Sequence, residues 1–370
     1  MKYSIITMVF AFLGSITTFA QRPPSISSPD VHPDSRVTFK YYSKTAKKVM
    51  VSGEFLTAPQ AMTRDTSGLW SITVGPVEPD IYPYSFVVDS VQVADPNNKY
   101  IFANERFKRS IVDIPGKTTL VHSLQNVPHG KISYRYYKSK TLGTTRQLLV
   151  YTPPGFNPNG TKKYPVLYLI HGGSDTEETW TKVGRANFIL DNLIADSKAN
   201  PMIIVMPYGR AYPVITKSSG SLRNWENLQE FKKDFMGNLM PFIEKNYRTI
   251  NLPASRAIAG FSGGGGTTLY FGLNNPSLFS WVCGFAPGML KNEFDRNNEV
   301  FFKNPAAANK NLKLFWIGVG KEDSLNPVIK DYMKVLDEKK IKYEFMESEG
   351  GHTWMNCKLY LSTIAQKLFK

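Results

Sequence analysis

Cysteine is nearly absent from this chain: only Cys283 and Cys357 occur in 370 residues. A disulfide framework of the kind that staples small secreted domains is therefore excluded, and a single Cys283–Cys357 bridge is the most that oxidation can supply. That bridge stays open at this level. One cysteine falls in a strand-like run and the other near a helix start, where apolar thiols are often simply buried. Histidine is almost as scarce, with five residues, so the choice of a general base is narrow. Long apolar runs are missing too. Ile5–Leu13 is too short to cross a bilayer and no later segment is longer and as apolar, so no integral membrane span is expected. Acidic residues are the last shortage, 30 against 45 basic ones, for a net charge of +15. The surplus favours anionic surfaces such as acidic polysaccharide or a cell envelope, although a solvated basic surface accounts for the same count. The lysines are scattered and form neither a basic helix nor a nucleic-acid motif, so no nucleic-acid partner is expected.

What is present is ample core material, 42% hydrophobic with 13% aromatic residues, in a length that suggests about two domains. Lys2, the run Ile5–Leu13 and Thr18-Phe19-Ala20 together read as a secretory signal peptide over residues 1–20. Export follows, to the periplasm or beyond the cell. No cysteine follows the cleavage site, so lipoprotein anchoring is not indicated. A Pro/Ser-rich lead occupies 21–35. Residues 36–118 then alternate apolar and polar in short runs, among them Val37–Tyr42, Lys48–Gly53, Leu69–Val74 and Tyr82–Asp89. Period two at this spacing predicts an all-β, immunoglobulin-like sandwich. Trp70, Tyr82 and Tyr84 are candidates for sugar stacking, but strand aromatics more often fill a core.

Residues 119–145 read as a connecting passage. From 146 to 370 strands alternate with helices, which predicts an α/β fold with a largely parallel sheet. The expected strands are Gln147–Tyr151, Val166–His171, Met202–Pro207, Arg256–Gly260, Trp281–Phe285, Leu314–Val319 and Tyr343–Met346. The expected helices include Phe188–Asp196, Leu228–Asn246, Thr267–Asn274, Asn326–Lys339 and Trp354–Phe369.

The chemistry centres on Gly260-Phe261-Ser262-Gly263-Gly264, a G-x-S-x-G run between a strand and a helix. A turn that tight leaves no room for side chains two positions either side of the serine. Ser262 is the candidate nucleophile. A serine hydroxyl needs a base to take its proton, and the base needs a carboxylate to fix its tautomer. His32, His122 and His129 belong to the β segment or the connector, and His171 leads a Gly-Gly pair that suits another role. His352, in a loop between the last strand and last helix, is the candidate base. The acid is expected between serine and histidine in the chain. Asp323 is chosen, with Glu322 as the alternative, because both follow an apolar strand at the carboxyl edge of the sheet. Asp331 and Glu347 fall inside elements and are worse placed. Two backbone N–H donors complete the set, Gly263 after the nucleophile and Gly173 in His171-Gly172-Gly173-Ser174. No metal or organic cofactor is needed.

Val150–Gly155, Pro165–Gly173, Trp180, Gly260–Gly264, Gly318–Asp323 and Gly350–Trp354 together resemble the family-one carbohydrate esterases. These include feruloyl and acetylxylan esterases, with siderophore esterases and mycolyltransferases as relatives. Residues 36–118 resemble the early-set domains that accompany glycogen-branching enzymes and are related to carbohydrate-binding modules. The resemblance implies an α/β-hydrolase domain preceded by a β-sandwich. It also implies the triad Ser262, Asp323 and His352, with Gly173 and Gly263 as oxyanion donors. Where members often carry a second tryptophan, three residues after Trp354, this chain has Cys357. Trp180, Trp225 and Trp354 are candidate walls for a phenolic acid or sugar, with core packing an equal explanation, and the loop Tyr208–Asn224 is a candidate rim. The function implied is a secreted serine esterase cleaving feruloyl esters on xylan side chains, with feruloylated arabinoxylan or its oligosaccharides as the partner. Alternatives are an acetylxylan or other short-acyl esterase, a siderophore esterase, and a non-catalytic carbohydrate-binding protein on a hydrolase scaffold.

Overall fold

The computed structural model describes residues 25–213 and 225–370. The expected signal peptide and the 214–224 part of the candidate rim loop lie outside the described residues. From Asp30 to Ile114 the backbone forms two antiparallel sheets. One pairs Asp30–Val31, Val37–Tyr42, Leu69–Val74 and Thr63–Arg64 in that order. In the other, Asp80–Val88 is central, flanked by Val49–Gly53 and Lys108–Ile114. Alternation explains the packing: Val37 and Phe39 point inward while Thr38 and Lys40 point out. Val37, Phe39 and Trp70 of one sheet share a core with Val51, Tyr84 and Phe86 of the other. Trp70, Tyr82 and Tyr84 are buried there, so they fill the interior and offer no face to a sugar.

The second part is an eight-stranded sheet. Its strands are β1 (Lys131–Ser139), β2 (Thr144–Thr152), β3 (Val166–Ile170), β4 (Ile203–Pro207), β5 (Arg256–Phe261), β6 (Trp281–Phe285), β7 (Leu314–Gly320) and β8 (Glu344–Ser348). They lie in the order β1-β2-β4-β3-β5-β6-β7-β8, antiparallel at β1–β2 and β2–β4 and parallel elsewhere. Every residue of β3 to β7 is buried, as continuous apolar strands covered on both faces should be. The chain leaves β3 for β4 on one side and returns to β5 on the other. That switch opens a crevice outside the carboxyl ends of β3 and β5.

Three regions differ from the sequence expectation. β1 lies inside the passage 119–145, because an edge strand exposing Tyr134, Tyr136 and several charges shows a weak apolar face. The stretch expected as one helix over Leu228–Asn246 is a helix Trp225–Asp234, a π-helical segment Phe235–Leu239 and a helix Met240–Asn246. Between β6 and β7 stand three short helices, Lys291–Asn297, Glu299–Phe302 and Pro305–Asn311, too short for a clear helical period. Cys283 and Cys357 are free, buried thiols, and burial pushes both up from the ordinary thiol range.

The two parts are joined by buried polar contacts. Lys358 of the last helix, Trp354–Ala365, pairs with Asp80 at 2.8 Å, and His122 reaches the same carboxylate at 3.2 Å. Glu54 accepts from the Trp354 N–H at 3.4 Å. Among the described residues no helix is long and apolar enough to cross a membrane.

Backbone contact is closest where the helix Gly263–Leu273 begins. A Cβ on Gly264 would lie 2.2 Å from the His171 carbonyl oxygen and 2.7 Å from that of Ile170. Neither is a flexible group, so Gly264→Ala is expected to cost about 3 kcal/mol or more through overpacking. Gly237 meets nothing within 4 Å, and its replacement by alanine should be neutral or stabilising by up to ~1 kcal/mol. Urea unfolding of both variants checks the contrast, and equal midpoints would sink it.

Candidate active site

Ser262 sits on the turn between β5 and the helix Gly263–Leu273 with φ 55° and ψ −119°. A serine in this region costs roughly 1–3 kcal/mol and persists only when its surroundings hold it. They do: the Ser262 N–H donates to Phe285 O at 2.8 Å, and Ser262 O accepts from Gly288 N at 2.7 Å and Gly266 N at 3.0 Å. Gly260 and Gly264 are required around it, since a Cβ on Gly260 would lie 2.5 Å from Gly264 O. The turn therefore holds Ser262 just outside the carboxyl end of β5, beside the crevice.

β7 stops at Gly320 and its loop carries Asp323, whose carboxylate is 1% exposed. Oδ1 accepts from Leu325 N at 2.9 Å, and Oδ2 lies 2.6 Å from His352 Nδ1. A carboxylate on that nitrogen fixes the proton on Nδ1 and leaves Nε2 as an acceptor. Glu322, the alternative acid, is exposed, and its N–H donates to Gly350 O at 3.0 Å. His352 is 34% exposed and stacks on Phe261, with ring centroids 4.5 Å apart. Phe261 precedes the serine, so this contact registers the His352 loop against the turn. Asn356 braces the loop from beneath, donating to Glu349 O at 3.0 Å and Gly351 O at 2.9 Å.

His171 follows β3 and lies wholly inside the protein. Its Nδ1–H donates to Gly172 O at 2.9 Å and its Nε2 accepts from Gly209 N at 2.9 Å. Burial, reinforced by the Arg210 charge, depresses it to about 3, so the ring stays neutral and ties two loops together. The loop it anchors is also held from the N-terminal β-rich part. Asn104 Nδ2 donates to Asp175 Oδ1 at 2.9 Å, and Glu105 N donates to Ser174 O at 2.8 Å. Glu105 in turn pairs with Arg210 at 2.6 Å and accepts from the Tyr208 hydroxyl. Sequence reasoning missed Asn104, Glu105 and Arg210. No local motif marks them, since their partners lie some 70 to 105 positions away. Among the described residues, neither the Gly173 nor the Gly263 N–H donates to another group. Both amides are therefore available to an anion.

Of the three tryptophans, Trp180 and Trp354 are buried and pack edge to face at 5.0 Å, so both belong to the core and neither lines a wall. Trp354 also meets Phe261 at 5.6 Å, which makes it part of the floor beneath His352. Trp225 is 47% exposed and is the one of the three that can meet a ligand. Cys357 lies in the same core. No group of three or more His, Cys, Asp or Glu suited to a metal occurs among the described residues.

The strand order, the strained serine turn and the Asp–His pair at the carboxyl edge define an α/β-hydrolase-like scaffold of the esterase type. The Esterase family model matches residues 139–368, and the chain belongs to that family. It is 30% identical over 354 residues to an endo-1,4-beta-xylanase/feruloyl esterase of Xylanibacter ruminicola, covering 94% of this chain and 46% of that protein. An endo-1,4-beta-xylanase Y of Acetivibrio thermocellus is 35% identical over 154 residues, 39% of this chain and 13% of that one. The chain thus spans less than half the length of these two relatives. Among solved structures, a ferulic acid esterase of Anaeromyces mucronatus in complex with ferulic acid is 25% identical. It covers 67% of this chain and 93% of its own, with a TM-score of 0.57. The enterobactin esterase of Shigella flexneri shares the fold at 18% identity, over 90% of this chain and 94% of its own, with a TM-score of 0.64.

The buried loop sets a pH dependence. His171 is depressed to about 3, so its contribution to stability is full above 6.5 and is lost as pH falls toward 3, about 2 kcal/mol by pH 5. Asp175 runs the other way. Burial pushes it up to about 6 against the Asn104 hydrogen bond, so its contribution is present below 3.8 and lost as pH rises through 6. Unfolding midpoints between pH 7 and 5 should therefore fall less in His171→Asn than in the unmodified protein, and more in Asp175→Asn. Parallel profiles in all three would refute the assignment.

Proposed function

We propose that the chain is an exported serine esterase that hydrolyses feruloyl esters on plant xylan side chains through an acyl-Ser262 intermediate. The observation that carries the reading is the 2.6 Å Asp323–His352 hydrogen bond beside a serine held at φ 55°. The kinship to a protein named as a xylanase/feruloyl esterase supplies the substrate class. Ser262 Oγ attacks the ester carbonyl while His352 Nε2 takes its proton, and Asp323 holds the imidazole and steadies its charge. The Gly173 and Gly263 N–H groups receive the oxyanion. The bond to the sugar oxygen breaks, that oxygen takes the proton from His352, and feruloyl-Ser262 remains. Water then gives its proton to His352 and attacks the acyl group. Ferulic acid leaves as Ser262 is reprotonated, and no metal or organic cofactor takes part.

In this reading residues 1–20 direct export, to the periplasm or outside the cell. Residues 36–118, with the short strand Asp30–Val31 ahead of them, form an immunoglobulin-like early-set unit. The hydrolase unit runs over 146–370, with β1 added from the connector. The substrate partner is feruloylated arabinoxylan or its oligosaccharides. A siderophore esterase is the second reading, favoured by a fold likeness to enterobactin esterase that extends over 90% of this chain.

The substrate is decided by offering methyl ferulate, p-nitrophenyl acetate, acetylated xylan and a cyclic catecholate serine ester to the mature protein. Ferulate release is expected to be preferred. Activity confined to acetyl esters would replace the reading with a short-acyl esterase, and preference for the catecholate ester with a siderophore esterase. Ser262→Ala should lower turnover on the order of 10⁴-fold with folding intact. Unchanged hydrolysis in that variant would overturn the nucleophile.

A further inference from the structure

The space in front of the serine turn continues into a second hollow. A narrow neck lined by Gly263, Thr267 and Gly288 shares Trp225, Arg296 and Asn297 with a cleft of about 680 Å³. Lys232 and Tyr270 complete the larger space. Trp225 lies 5.3 Å from the Tyr270 ring, Arg296 Cζ stands 5.8 Å from the Trp225 ring, and Lys232 Nζ stands 4.7 Å from the Tyr270 ring. Two cations and an exposed indole therefore face one cleft that opens on a candidate oxyanion donor.

Neither Arg296 nor Lys232 pairs with a carboxylate among the described residues, and Arg296 Nε donates to Asn297 Oδ1 at 3.2 Å. Glu293, the acid that lines the neck, accepts from the Leu290 N–H through Oε2 at 2.8 Å, and Asp295 on the same helix pairs with Lys291 at 3.2 Å. A planar guanidinium next to an indole suits a ligand that has both a carboxylate and a ring. The fork takes the two oxygens, the ammonium adds charge, and the indole face stacks on the sugar ring.

We propose that this cleft is a subsite for a uronate, an anionic sugar carried by the same polysaccharide as the scissile ester; this rests on the esterase reading above. The spacing fits a neighbouring residue of the substrate and excludes the reacting group itself. Tyr270 is seven residues along the helix from Gly263, about 10 Å along its axis. The +15 charge of the chain draws such polysaccharides at long range, and the cleft gives that attraction a specific end point.

The test uses the Ser262→Ala protein, so binding is read without turnover. Calorimetry compares a xylo-oligosaccharide carrying a glucuronic acid branch with its carboxyl-reduced counterpart, which differs only in the charged group. The uronate form is expected to bind about tenfold tighter, with the preference weakening as salt rises. Adding Arg296→Gln or Lys232→Gln should reduce the preference severalfold, and Trp225→Ala should weaken both ligands. Arg296 is exposed and Lys232 half-buried, and melting temperatures confirm that the variants fold. Equal binding of the two oligosaccharides, or a preference that survives both charge substitutions, would overturn the subsite. Hydrolysis of methyl ferulate, which carries no sugar, is followed separately with the unmodified protein. Its absence defeats the feruloyl reading and leaves the binding result standing on its own.

Discussion

The approach of the helix Gly263–Leu273 to the end of β3 is the contact on which the rest of the site depends. Gly264 runs so close to the His171 carbonyl that no Cβ fits, and Gly260 is equally confined by Gly264. Two loops that begin on different strands are thereby fixed to each other through backbone, with no side chain to adjust between them. Ser262 and Gly263 leave one of these strands and Gly173 follows the other. The candidate nucleophile and both candidate anion donors therefore inherit their relative positions from the sheet register, which pairs Ile170 with Gly260. A site built this way needs little rearrangement when charge develops on a bound group.

The second constraint is polar and crosses between the two halves of the chain. The loop after His171 contains a buried carboxylate, Asp175, and a wholly buried imidazole, each of which would be costly without partners. Part of the compensation comes from Asn104 and Glu105, residues of the β-rich part, and part from Gly209 and Arg210 after β4. The N-terminal part thus takes part in shaping the crevice. Lys358 and Asp80 make a similar bond on the other side of the last helix, which carries the His352 loop at its start. Breaking one partner of such pairs leaves an uncompensated buried charge, so the two halves are energetically coupled at the site.

This division explains what was legible in the sequence. Elements whose environment is uniform were read nearly to the residue: β6 over Trp281–Phe285, and β3, β5 and β7 within a residue or so, because strands buried on both faces are apolar throughout. The G-x-S-x-G turn was legible because its steric requirement is local. Asp323 was preferred to Glu322 in the sequence, and the 2.6 Å contact with His352 falls on Asp323. Two adjacent carboxylates look alike in sequence, and the Gly350 contact that turns Glu322 outward comes from another loop. β1 was missed because an edge strand with one wet face alternates only weakly. The Asn104 and Glu105 braces were invisible because nothing local in their sequence announces a partner so distant. Trp180 and Trp354 were undecided between core and wall, since composition does not tell which side of a strand end an indole enters; here both lie inside.

Those buried indoles bear on how the scaffold divides its tasks. Trp180, Trp354 and Phe261 form a rigid aromatic floor that sets the height of His352, and none of them has a free face for a ligand. Selectivity must therefore come from residues around the crevice. The cleft is lined by the helix Trp225–Asp234, by the short helices inserted between β6 and β7, from which Arg296, Asn297 and Val300 come, and by Tyr270 and Asn274 at the far end of the helix that follows Ser262. Such insertions hang on the sheet without altering its register, so they can differ while the strand ends stay fixed. The serine turn and the two candidate anion donors are thus held by backbone geometry that tolerates almost no change. The charge of the cleft, from Arg296 and Lys232, and the exposed Trp225 are carried by elements that can change without disturbing it.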